Sequence, residues 1–143
     1  MMQHARHLLA SIQQTAKSEQ SYIQNLANIP MSPSLRSALK CQLDEYAFLE
    51  CQAHSIGAAR GWDMTDTLSA QYLLRNISTQ IQLRHGNPDS IIAGNTILRN
   101  TKTMIRTIKY RNMCRQADGQ IDALSQKLLD CETANIRQMQ SYL

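Results

Sequence analysis

Polar side chains occupy positions where helical spacing asks for apolar ones, and these are the residues best placed to do chemistry. Steps of three and four residues at 12, 16, 19, 23 and 26 pass through Glu19. Steps at 35, 39, 42, 46, 49 and 53 pass through Gln42 and Tyr46, with Glu45 flanking the same face. Steps at 94, 97, 101, 104 and 108 pass through Thr101, and steps at 121, 125, 128, 132, 135 and 139 pass through Glu132 and Asn135. Glu19 lies eleven residues before Pro30 and Gln42 twelve after it, so an antiparallel hairpin would put them in one layer. Thr101 and Glu132 stand in a similar relation to the Asp118-Gly119 turn. A buried carboxylate is costly unless it is paired, hydrogen-bonded or metal-bound. Two readings follow. One is a metal site using Glu19, Glu45 and Glu132. The other is a polar layer in which Gln42, Tyr46, Thr101 and Asn135 hydrogen-bond the glutamates, one of them protonated. The set contains no imidazole, which oxygen-activating iron sites use beside carboxylates. The polar layer is therefore the favoured reading.

Other reactive residues are scattered. Cys41, Cys51, Cys114 and Cys131 have no CxxC or Cys/His spacing, so a structural zinc site is not expected. Each lies in a helical pattern and reads as a free thiol, and none has a legible catalytic partner. Of His4, His7, His54 and His85, only His54 has a candidate partner, Glu50 one turn earlier, as a surface pair. Five dispersed glycines cannot build a phosphate loop, and aromatics at 5% argue against base-stacking platforms. Arg99, Lys102, Arg106 and Lys109 form a basic stripe with no acid between Asp89 and Asp118. It reads as a solvated face, or as a surface for an acidic partner.

The elements that must carry these residues are all helical. The 143 residues make one domain, 1–143, with 43% hydrophobic residues and too few turn residues for an all-β fold. Helix 1 is expected over about 4–28, with Ala5, Leu8, Leu9, Ile12, Ala16, Ile23 and Leu26 inward and Ile29-Pro30 as its stop. Helix 2 starts with Ser32 as cap and Pro33 in the first turn, buries Leu35, Ala38, Leu39, Tyr46, Leu49, Ala53 and Ile56, and stops at Gly61. A crossover helix is expected over about 66–84. The next long helix runs over about 88–116, with Ile91, Gly94, Ile97, Leu98, Met104, Ile105 and Ile108 inward. The last runs over about 120–142, with Ile121, Leu124, Leu128, Leu129, Ile136, Met139 and Leu143 inward. Four long helices with two short connections make an antiparallel bundle.

This hairpin–crossover–hairpin plan resembles the ferritin-like bundle, whose di-iron members carry two lone Glu and two Glu-x-x-His motifs, all inward. Glu19 falls where the first lone Glu would be and Gln42-Leu43-Asp44-Glu45 where the first Glu-x-x-His would be. Thr101 falls near the second lone Glu, and Glu132-Thr133-Ala134-Asn135 at the second Glu-x-x-His. Both histidines and two of the four carboxylates are replaced. Most of the chain also resembles small bacterial ferritin-like bundle proteins, through Gln42-Leu43-Asp44-Glu45-Tyr46, Gly94-Asn95-Thr96 and Lys127-Leu128-Leu129-Asp130-Cys131-Glu132. The resemblance implies an all-α, ferritin-like antiparallel four-helix bundle with an additional crossover helix and a degenerate metal centre.

The expected function is a non-enzymatic structural or protein-interaction role, with no cofactor. Iron or manganese on the inward carboxylates is the alternative, and an acidic partner on the basic stripe is another. The expected partner is a second copy, as a homodimer through Phe48, Trp62 and Met64, or another protein. A membrane is not expected and nucleic acid is disfavoured. The termini show no signal peptide and the thiols suit a reducing compartment, so the expectation is cytoplasmic.

Overall fold

The computed structural model describes residues 2–64, 87–114 and 118–143. Among them are four helices: α1 (Met2–Asn25), α2 (Pro33–Ala59), α3 (Pro88–Met113) and α4 (Gly119–Gln140). They pack as a bundle with two antiparallel hairpins, α1 on α2 and α3 on α4. The hairpins join through α2 against α4 and α1 against α3. Helix α1 also reaches α4 across the short diagonal, which leaves α2 and α3 at opposite corners. The expected crossover helix, 66–84, lies outside the described residues.

Local chemistry sets the ends. The Ser32 hydroxyl accepts from Leu35 N at 3.2 Å and Pro33 supplies a preset first turn, so α2 starts where its sequence says. Helix α1 ends at Asn25, earlier than expected. Its chain then tightens through Leu26 N–Ile23 O and Ala27 N–Gln24 O bonds of 3.0 and 3.2 Å, the i→i+3 pattern of a fraying last turn. Arg36 donates to the freed Ala27 and Ile29 carbonyls at 2.9 and 2.7 Å. Helix α2 stops at Gly61, whose φ of 71° a side chain would resist, and Trp62 N returns to Gly57 O at 2.9 Å. Asn87 caps α3 and Asp118 caps α4. Asp118 also pairs with Arg60, tying the end of α2 to the start of α4.

On α1, α2 and α4 the expected apolar stripes lie inside, apart from Ala5, Ile56 and Ile136, which are half-buried, and Leu143, which is exposed. Met64, expected at the surface, is buried against Gly57 and accepts a hydrogen bond from Gln13. Helix α3 is rotated from expectation. It buries Ile92, Ala93, Thr96, Asn100, Thr103 and Thr107, while Leu98, Ile105 and Ile108 face outward. A threonine hydroxyl can be satisfied on its own helix backbone, as Thr96 is on Ile92 O at 2.8 Å, whereas the Thr107 hydroxyl is buried without a partner among the described residues. This orientation brings Arg99 onto the buried Glu19 carboxylate. Stranding that charge would cost roughly 3–5 kcal/mol, which matches or exceeds what three aliphatic side chains forfeit half in water at about 1 kcal/mol each.

Candidate functional site

The bundle centre is a polar layer fed by all four helices. Glu19 (α1) and Glu132 (α4) are both fully inside. Gln42, Tyr46 and Asn135 are buried with them, as their spacing requires. Thr101 is not: it is exposed and its hydroxyl bonds Ile97 O on its own helix. The rotation of α3 puts Asn100 and Thr103 in its place. Glu45 is also outside, accepting from the Cys131 thiol at 2.9 Å.

The basic stripe divides between interior and solvent. Arg99 turns inward onto Glu19: its Nε donates to Oε1 and Oε2 at 3.2 and 3.3 Å, and its Nη2 lies 3.1 Å from Oε1. Nη2 also donates to the Ser18 hydroxyl at 3.1 Å, and the guanidinium sits 4.3 Å over the Tyr22 ring. Arg106 is half-buried and close enough to stabilise negative charge on both glutamates. Lys102 and Lys109 alone of the four are exposed, so the surface available to an acidic partner shrinks to them.

The second half of the layer is a hydrogen-bonded network. Tyr46 OH donates to Asn100 Oδ1 at 3.1 Å and accepts from Asn135 Nδ2 at 3.4 Å. The Thr103 hydroxyl donates to Glu132 Oε2. Glu132 Oε1, Asn100 Nδ2 and Gln42 Nε2 are buried with no hydrogen-bond partner among the described residues. Burial pushes Glu132 up to about 8, against the Thr103 bond and the Arg106 charge and with the help of Glu19, so this carboxyl is mostly neutral at pH 7. Burial also raises Glu19, opposed first by the Arg99 charge and hydrogen bond and then by Arg106. Desolvation raises both buried phenols, Tyr22 to about 12 and Tyr46 further.

This donor set does not fit a metal. Both Glu19 oxygens are engaged by a cation the protein supplies itself, and Glu45 is directed to the Cys131 thiol. Among the described residues no group of three or more His, Cys, Asp or Glu is arranged around a common point. His7 and His54 are exposed, and Glu50 accepts from Gln20 rather than standing free for His54. His85 lies outside the described residues. All four cysteines are free thiols. Burial, then the Glu45 hydrogen bond and charge, hold the Cys131 thiol far above its ordinary value, the opposite of what a nucleophile needs.

The residues that sequence spacing misses are Ser18, Tyr22, Thr96, Asn100, Thr103 and Thr107, together with the inward turn of Arg99. A signal is present: Thr96, Asn100, Thr103 and Thr107 repeat at 4-3-4 spacing on one α3 face. The competing aliphatic face hides it.

No helix among the described residues is long and apolar enough to cross a membrane. No protein-family model matches the chain, and no curated protein or solved structure is detectably similar to it. The architecture therefore stands on the structure alone: among the described residues, an all-α bundle of four helices in antiparallel pairs.

Proposed function

We propose that this chain is a ferritin-like bundle with a degenerate centre, acting without catalysis as a structural or protein-interaction module. The observation that supports it is the Arg99–Glu19 pair. In a metal-binding bundle a lone inward Glu serves a metal ion. Here the guanidinium of Arg99 meets that carboxylate through two nitrogens and stacks on Tyr22. The interior then functions as a rigid, register-setting polar layer. Its ion pair and its central hydrogen bonds run between helices, which discriminates against sliding or rotated packings. With Glu19 engaged by Arg99 rather than left for a metal, interaction falls to the surface.

The test is elemental analysis of protein purified without added metal or a metal-binding tag, repeated after soaking with iron and with manganese. The expected result is no near-stoichiometric metal under either condition. Near-stoichiometric metal that disappears in Glu19→Ala and Glu132→Ala would overturn the proposal and make the chain a metal-binding bundle.

A further inference from the structure

Two surface features complement one another. Helix α3 presents an outward apolar ridge in which Leu98 is 60%, Ile105 50% and Ile108 43% exposed. Exposed Lys102 and Lys109 lie on the same side of the helix, and α3 has no acid after Asp89. On another face of the bundle, α2 and α4 form a surface groove of about 430 Å³ lined by Phe48, Cys51, Ile56, Ala123 and Leu124. Phe48 stands 56% exposed on its rim. Past Phe48 the depression continues for about 380 Å³ beside Asp44, Glu45 and Leu49. Lys127, over the Phe48 ring at 5.8 Å, is the groove's own cation, so acids outnumber bases at that end.

We propose that copies of this chain associate head-to-tail, the α3 ridge of one seating in the α2–α4 groove of the next. The proposal rests on the surface-interaction reading above and names its partner. Leu98 to Ile108 spans about 15 Å of helix, and the α2 wall from Asp44 to Ile56 about 18 Å, so the groove is long enough for the ridge. Charge selects this pairing over the symmetric one. Ridge against ridge would oppose Lys102 and Lys109 to their own copies with no acid of the ridge to offset them, whereas ridge in groove offers them Asp44 and Glu45. Aliphatics at 98, 105 and 108 would fill the apolar stretch around Phe48. Because α2 and α3 occupy opposite corners, the two surfaces are different patches, and such a contact repeats from copy to copy rather than closing as a two-fold dimer.

The experiment is sedimentation velocity over a concentration series for the wild-type chain, Ile105→Glu, Phe48→Glu and an equimolar mixture of the two variants. Circular dichroism melts accompany each to establish that it folds. The wild type should grow beyond a dimer with concentration and shrink in high salt. Each variant alone should be monomeric, its self-association weakened about tenfold or more by loss of a central anchor. The mixture should recover association but stop at two, because one intact ridge meets one intact groove. Monomeric wild type at every concentration would overturn the proposal. So would loss of assembly in Ile105→Glu but not in Phe48→Glu, which would indicate ridge-to-ridge contact. A monomeric wild type whose melting temperature drops in Ile105→Glu would also overturn it and assign the ridge to packing within the chain. Metal content separates the two proposals: a metal-free monomer sinks head-to-tail assembly alone, while bound metal sinks the non-catalytic reading.

Discussion

Replacing Glu132 by Gln should make the protein more stable, and by an amount that depends on pH in a defined direction. Glu132 has no solvent exposure, and burial holds its carboxyl near 8 in the folded chain against 4.5 when solvated. Between those values the unfolded chain releases the proton and the folded chain keeps it. The folded state then binds more protons, so stability falls as pH rises through this window and is level on either side. At about 1.4 kcal/mol per pH unit, the full window is worth about 5 kcal/mol. That is a large share of the roughly 5–15 kcal/mol that holds a small domain together. Glutamine carries no titrating proton, and its carbonyl can still accept the Thr103 hydroxyl that Glu132 now accepts. The two chains should therefore be nearly equal at pH 4.5, within about 1 kcal/mol for altered hydrogen bonding. By pH 8.5 Glu132→Gln should be ahead by several kcal/mol. Urea unfolding followed by circular dichroism at pH 4.5, 6, 7 and 8.5 reads the difference directly. A constant difference across that range, or a wild type more stable than the variant at pH 8.5, would refute the claim that Glu132 is buried as the neutral acid.

Three further outcomes follow from the same geometry. Arg99→Met strands Glu19 in the interior and should cost about 3–5 kcal/mol in chemical denaturation, whereas Arg99→Met with Glu19→Leu should recover most of it; a single variant within about 1 kcal/mol of wild type would show that the pair is not what holds α1 to α3. A Cβ at Gly57 would overlap Met64 Cγ and Sδ, so Gly57→Ala should lower stability by about 1–3 kcal/mol despite the better helix former, and a raised melting temperature would mean the 62–64 segment repacks freely. A thiol-reactive disulfide at pH 8 should modify exposed Cys41 and Cys51 well before Cys131, whose burial and Glu45 bond suppress the thiolate; equal rates at all three would show that the Cys131–Glu45 contact does not persist in solution.

Much of the architecture is legible in the sequence because periodicity and caps are local. The Ser32-Pro33 start, the Gly61 stop and the Asn87-Pro88 start depend on a few adjacent residues and act through their own backbone. The stripes of α1, α2 and α4 are legible for the same reason, and so are Glu19, Gln42, Tyr46, Glu132 and Asn135 as inward polar groups. Helix α3 defeats the same reasoning because two faces compete. Leu98, Ile105 and Ile108 outweigh Thr96, Asn100, Thr103 and Thr107 on any apolar count. Which face turns in, however, depends on what stands opposite, and that is a property of the other helices. The same rotation moves Thr101 out and Arg99 in.

Backbone propensity, capping and spacing act within a turn or two of the residues concerned. They are enough to dictate that the described chain is helical, where most of its helices begin and end, and that carboxylates lie on inward faces of α1 and α4. How those charges are met is a matter of packing: an arginine from α3 on Glu19, a threonine and a retained proton on Glu132, and the Cys131 thiol on Glu45. The reason is physical. The desolvation of a buried charge is set by every element packed around it, and its relief can come from a residue eighty positions away, as Arg99 is from Glu19.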